Sequence, residues 1–324
     1  MTCFCLPSAD GSRKMGFMHR CRHGFGGEPL AQPPPWAPRD APPPAQPGDE
    51  TWTFIDDLKA SLWGDGLGWC PRAVRPGEAD LSGGVRIEAR FPDPDGHLAT
   101  AYADLADFLA AVGVSRSGSA VIETAWAAMP VFEAYRIEVA PGVCRILAAD
   151  TEGIRRGIFA VEAMMREAEG PFLPLGVRER RPFIRSRISR CFFGPIKRPP
   201  RYRDELMDDV DYYPDAYLNR LAHEGINGLW LTIALQDLCR TRLNPEAGAT
   251  AGRRLDKLRR TVEQCRRYGI GTYLFAIEPR AWDAESPILK RHPEMGGARL
   301  DNQVTFCPWP EISQRYLYEA THDI

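Results

Sequence analysis

His223-Glu224 opens the stretch HEGINGLWLTIALQDLC, residues 223–239. A zinc-protease helix places a second histidine one turn after the first so that both bind the same ion. Position 227 is asparagine, so the motif fails. The expected role of His223 is the exposed last turn of a helix, where imidazole suits the negative end of the dipole. Zinc-ligand residue types recur near the start, as Cys3-x-Cys5 and His19-x-Cys21-x-His23. Their spacing is not that of paired zinc cysteines. No metal site and no cofactor is expected; a metal-dependent enzyme built on this cluster is the least favoured reading. GDGLG (64–68) is not GxGxxG and follows no strand, so it reads as a loop. Nothing in the sequence brings a histidine beside a nucleophile, so no catalytic residue is assigned.

More chemistry collects where apolar runs stop. Arg190 follows a short run, Gln236 and Asp237 end INGLWLTIAL, and Glu278 ends IGTYLFAI. If these runs are parallel strands, such residues stand at the carboxyl ends, where α/β proteins carry their sites. Arginine offers fixed donors and a carboxylate accepts hydroxyl hydrogen bonds, a combination suited to a polyhydroxylated ligand. Trp230 and Trp282 offer apolar walls for a sugar ring. Arg190, Trp230, Asp237 and Glu278 are the candidate substrate-binding residues; the competing reading makes them structural ion pairs at a rim.

The elements that must position these residues are legible in the periodicity. VRIEARF (85–91) alternates as a half-buried strand. Residues 99–112 repeat Ala, Leu and Phe at helical spacing, and AVIETAW (120–126) is a further strand. YRIEVA, Pro141-Gly142 and VCRILAA form a hairpin. The following segment places Ile154, Ile158, Val161, Met164 and Met165 on one helical face, with Gly153 and Gly157 permitting close approach. Beyond residue 180 the pattern becomes strand, helix, strand. FIRSRIS (183–189) is a weak strand, and Pro214 starts a helix that Gly225 ends. INGLWLTIAL (226–235) is a strand covered on both faces. A helix over 253–268 buries Leu255, Leu258, Val262 and Cys265, and IGTYLFAI (270–277) is the next buried strand. The basic run Arg253, Arg254, Lys257, Arg259, Arg260, Arg266 and Arg267 lies on that helix without interleaved aromatics, so it reads as a solvated outer face rather than a nucleic-acid surface.

The expected fold is α/β: a small α+β domain, 80–178, followed by a partial (β/α)8 TIM barrel, 179–324, of about three β/α units, with an open doubly wound sheet as the alternative. Residues 1–50 read as a disordered leader, since 33–47 contain eight prolines, and 51–79 as a linker. The 324 residues carry 41 basic and 43 acidic side chains, a net charge of −2 that gives no field favouring nucleic acid or membrane. No apolar run reaches the roughly 20 residues of a membrane span, and no signal peptide is seen. Nine scattered cysteines suit reduced thiols, so the expected location is cytoplasmic. The oligomeric state is not assigned.

The segment YRIEVAPGVCRILAADTEGIRRGIFAVEAM resembles the end of the N-terminal, zincin-like domain of the β-N-acetylhexosaminidases, glycoside hydrolase family 20. RPFIRSRISRCFF resembles that family's first barrel strand, with Arg190 in the place of a sugar-binding arginine. EGINGLWLTIALQD is similar to its second strand, with Asn227 and Asp237 in register, although Trp230 and Thr232 replace residues that are often histidine. LFAIEPRAW resembles the third strand, with the family's Pro-Glu order inverted at Glu278-Pro279, and VTFCPWPEISQRYLYEA resembles the approach to the fourth. The resemblance implies a glycosidase-like protein acting on N-acetylhexosamine-type or related glycans. The family's catalytic Asp-Glu pair ends its fourth strand, so the resemblance also implies a fragment lacking that pair and inactive as given. The alternative is a non-catalytic carbohydrate-binding module. In either case the expected partner is a carbohydrate.

Overall fold

A computed structural model describes residues 53–64, 68–69, 72–198, 201–276 and 281–322. The chain divides into two units, Met1–Pro38 and Arg39–Ile324. The first, including the leader and its Cys/His cluster, lies outside the described residues.

A short helix α1 (Thr53–Leu58) and strand β1 (Glu78–Asp80) precede a five-stranded mixed sheet. Its members are β2 (Val85–Ala89), β3 (Ala120–Trp126), β4 (Tyr135–Ala140), β5 (Val143–Ala148) and, after β6 (Phe172–Pro174), β7 (Gly176–Arg180). The order is β2-β3-β5-β4-β7, with β2, β3 and β5 parallel and β4 antiparallel to both neighbours. The small β6 pairs with β1. The hairpin is in the expected register, Ala140 opposite Val143. Pro141 fixes one φ and Gly142 supplies φ +76°, the pattern of a type II turn.

Helices α2 (Ala99–Ala111) and α3 (Thr151–Glu167) complete this part. The Asp150 side chain caps α3 by accepting from the Gly153 amide at 2.8 Å. Most of the predicted stripe is in the core: Ile154, Ile158, Val161 and Met165 are fully buried, whereas Met164 is only partly buried. A Cβ on Gly153 would lie 2.5 Å from the Ala134 carbonyl oxygen, and one on Gly157 would lie 2.3 Å from Ile146 Cγ2, so both glycines are required by the packing.

The second part is built on three parallel strands, β8 (Ile188–Arg190), β11 (Gly228–Ile233) and β12 (Gly271–Ala276), in the order β12-β11-β8. A hairpin of β9 (Pro195–Arg198) and β10 (Arg201–Asp204) follows β8. The connecting helices are α4 (Asp215–His223), the short α5 (Leu235–Leu238) and α6 (Ala251–Arg267). Gly225 (φ +83°) and Gly269 (φ +70°) follow α4 and α6 in the left-handed conformation expected after a helix. Among the described residues these strands form an open sheet and no closed barrel.

Five local expectations need correction. FIRSRIS is strand only from Ile188, and Phe183 is wholly exposed. β11 is not apolar on both faces: Leu229, Leu231 and Ile233 are buried, whereas Trp230 and Thr232 are only half-buried. β12 is not buried; Tyr273, Leu274 and Phe275 are exposed because it is an edge strand. On α6, Leu258 and Cys265 face the core but Val262 is exposed. Nor is its basic run wholly solvated. Arg254 is buried in an ion pair with Asp204, and Lys257 donates to the carbonyls of Asp208 and Val210.

The remaining elements are a three-stranded antiparallel sheet of β13 (Ala281–Asp283), β14 (Gly296–Leu300) and β15 (Gln303–Phe306), with helices α7 (Pro287–Arg291) and α8 (Glu311–His322). No helix among the described residues is long and apolar enough to cross a membrane.

Candidate functional site

Alternation along β11 decides which side chains are available. Leu229 and Leu231 enter the core that also holds Leu258 and Cys265 of α6. Trp230 and Thr232 therefore face the opposite side of the sheet. The register places Arg190 of β8 and Tyr273 of β12 directly beside Trp230, and Phe275 beside Thr232. One cross-strand row is thus Arg190–Trp230–Tyr273.

The Arg190 guanidinium lies 6.0 Å from the Trp230 ring centroid, at the outer limit of a cation–π contact. Phe275 meets the same ring edge-on at 4.7 Å. Arg190 and Tyr273 are exposed. Among the described residues Arg190 has no carboxylate partner, and the buried Nε1 of Trp230 has no acceptor. The row offers an indole wall flanked by a free guanidinium and a phenol. It is rich in donors and suits a ligand rich in acceptors.

The loop after β8 closes one side of this row. The Cys191 amide donates to the Trp230 carbonyl at 2.8 Å, extending the pairing by one residue. Gly194, at φ +64°, passes so close to Thr232 that a Cβ would fall 2.8 Å from Thr232 Cβ. Glu205 holds the loop: it accepts from the amides of Phe193 and Gly194 and from the Tyr213 hydroxyl at 2.6 Å. Burial beside Glu205 pushes the Tyr213 phenol well above its ordinary range. The adjacent pair Asp204-Glu205 is therefore structural, one member on Arg254 and the other on this loop.

The structure brings together two of the four predicted ligand residues, Arg190 and Trp230. Asp237 is not at an open strand tip; it sits in α5 and is buried. Glu278 lies outside the described residues. Trp282 is not a wall of the site: it is buried against Phe306 and Tyr316 in a separate core cluster. His223 is not an exposed helix end. Its ring stacks on Phe159 at 3.7 Å and its Nε2 lies 2.7 Å from Asp104 Oδ2. The sequence does carry a signal for this, because Glu162 falls four residues after Ile158 on the apolar stripe of α3, where a carboxylate needs a partner.

No protein-family model matches the chain, and no curated protein matches it. Solved structures do. A GH138 enzyme targeting pectin rhamnogalacturonan II superposes with a TM-score of 0.57 at 13% identity, over 74% of this chain and 29% of that one. The β-N-acetylhexosaminidase from Bacteroides fragilis NCTC 9343 gives 0.48 at 17% identity, over 76% and 50%. The GH20 β-N-acetylhexosaminidase from Streptomyces coelicolor A3(2) gives 0.48 at 16%, over 75% and 53%. The chain spans under a third of the first enzyme and about half of each hexosaminidase. At these identities the likeness is one of fold: this chain has the fold of part of a glycoside hydrolase.

Proposed function

We propose that the chain is the sugar-recognising part of a glycoside-hydrolase-like protein: an α+β domain joined to the first β/α units of a (β/α)8 barrel, binding a glycan at the Arg190–Trp230–Tyr273 row. The carrying observation is an arginine with no carboxylate partner among the described residues, at the carboxyl end of β8, where α/β folds bind ligands, set beside the face of a tryptophan midway along β11. The indole covers an apolar sugar face, and the guanidinium and phenol meet its hydroxyl, acetamido or carboxylate oxygens. The likeness of fold to part of a GH138 enzyme supports a carbohydrate over other acceptor-rich ligands.

Hydrolysis is not assigned to the described residues. Two separated carboxylates, or one carboxylic acid and a substrate acetamide, are needed for it. Here Glu205 is committed to the loop and Asp237 is buried. Calorimetric titration with N-acetylglucosamine, chitobiose and a uronic-acid oligosaccharide tests the reading. Binding by the natural chain and its loss in R190A support it. Absence of binding to all three, or equal binding by R190A, overturns it. Aryl β-N-acetylhexosaminide assays separate recognition from catalysis: binding without turnover is expected, and turnover would overturn the non-catalytic assignment.

A further inference from the structure

Where α2, α3 and α4 meet, two carboxylates and an imidazole converge out of water. Asp104 of α2 accepts through Oδ1 from Trp63 Nε1 at 2.7 Å and from Asn219 Nδ2 at 2.5 Å. Its Oδ2 lies 2.7 Å from Nε2 of His223, at the end of α4. Glu162 of α3 is fully buried, and no side-chain or backbone donor among the described residues reaches either of its carboxylate oxygens, which face the Asp104 carboxylate. Its Oε2 is 3.6 Å from the same imidazole nitrogen. One ligand atom from each residue falls within 4.8 Å of the other two.

We propose that Asp104, Glu162 and His223 bind a divalent transition-metal cation, with Zn2+ as the best match to the donors. One imidazole nitrogen and two carboxylate oxygens are a zinc-type set, with bonds of about 2.0–2.2 Å. Atoms 2.7 and 3.6 Å apart need only small side-chain shifts to surround such an ion. Two carboxylates and one divalent cation leave no net charge in the buried space, which removes the cost of burying Glu162 unpaired. The surroundings already orient the ligands. Two donors fix Asp104, and Phe159 clamps the His223 ring. His223 and Phe159 also line a cavity of about 500 Å3, whereas Asp104 and Glu162 do not reach it.

The neighbouring charges agree. Desolvation first, then the Asp104 charge and a hydrogen bond to Asp104, push the Glu162 carboxyl well above its ordinary range, while Arg166 opposes them. A proton on Glu162 is the alternative occupant, and the cation displaces it. Because α4 leads into the amino end of β11, the ion sits away from the strand carboxyl ends. It fastens α4 to α2 and α3 and takes no part in sugar recognition.

The test is titration of the chelator-stripped full chain with ZnCl2, and separately with Co2+ followed by visible absorption. The expected result is one Zn2+ per chain at this site, a raised Tm, and a tetrahedral Co2+ spectrum without a thiolate charge-transfer band. E162Q, which copies the protonated carboxyl and keeps its shape, weakens binding at least about tenfold. D104N is the second variant, and circular dichroism checks the folding of both. Absence of binding overturns the proposal and leaves the proton as occupant. So does binding unchanged in E162Q, or a thiolate band, either of which places the ion elsewhere.

Discussion

Arg187 donates a 2.5 Å charged hydrogen bond to Glu133, 54 residues earlier in the chain. Glu133 precedes β4 of the five-stranded sheet, and Arg187 immediately precedes β8 of the parallel one. The same carboxylate accepts from Arg156 at 3.4 Å and Asn227 at 3.1 Å. Arg156 in turn donates to the carbonyls of Ala222, at the end of α4, and Ile226, in the turn before β11. One buried acid therefore joins the two sheets. It holds φ at +64°, a conformation costly for a residue with a side chain, which only a well-determined environment sustains.

Replacing that acid leaves two guanidinium groups, Arg156 and Arg187, with backbone carbonyls but without their carboxylate. E133A is expected to lower unfolding free energy by about 3 kcal/mol, the low end for breaking a buried ion pair, because Arg187 is partly exposed and can turn to water. R187A leaves Glu133 with Arg156 and Asn227 and costs less. Urea unfolding measures both; an E133A loss below about 1 kcal/mol would show the junction to be held by apolar packing alone.

Gly157→Ala sets helix propensity against packing. In an exposed helix the change gains about 1 kcal/mol. Here the new methyl would meet Ile146 Cγ2 at 2.3 Å. Overpacking costs about 1–3 kcal/mol, so G157A is expected to be destabilising overall. A raised midpoint in thermal unfolding would mean that β5 yields to α3.

Local patterns carried much of the fold into the sequence, because their causes are local. Pro141-Gly142 sets the hairpin register, and the spacing of Ile154, Ile158, Val161 and Met165 sets the buried face of α3. Exposure of β12 was not legible: Tyr273, Leu274 and Phe275 are as apolar as core residues, and only the sheet order shows them at an edge. At the site, Arg190 was legible as a strand-end residue and Trp230 as an apolar wall, but their pairing is a matter of cross-strand register. Asp237 was misplaced because the chain turns into α5 directly after β11. His223 was misread because its partner Asp104 is 119 residues away.

Alkaline stability should follow the buried thiols. Cys144 in β5 is fully buried, and desolvation pushes its thiol from 9.0 up to about 12. The folded state thus keeps this proton to higher pH than the unfolded chain. Its stability is intact below pH 9 and falls as the pH rises from 9 towards 12, by about 1.4 kcal/mol per unit at most for this group. C144A removes the titration. The stability gap between the natural chain and C144A is expected to narrow between pH 8 and 10.5 in urea unfolding. A gap that stays constant would show that the thiol ionises equally in both states.

The Arg190–Trp230–Tyr273 row separates recognition from support. Arg190 is exposed and has no ion-pair partner among the described residues, so R190A should leave thermal unfolding nearly unchanged. A charge-assisted hydrogen bond contributes about 1.5–3 kcal/mol, so R190A should weaken glycan binding by about 10- to 100-fold. R190K keeps the charge but loses the planar fork that can engage two acceptors, and should fall between the two. W230F keeps an aromatic face with less area and no N–H donor, and should weaken binding less than R190A. If R190A instead lowers stability as far as E133A does, the arginine is a structural brace, and the sugar-binding role fails at its central residue.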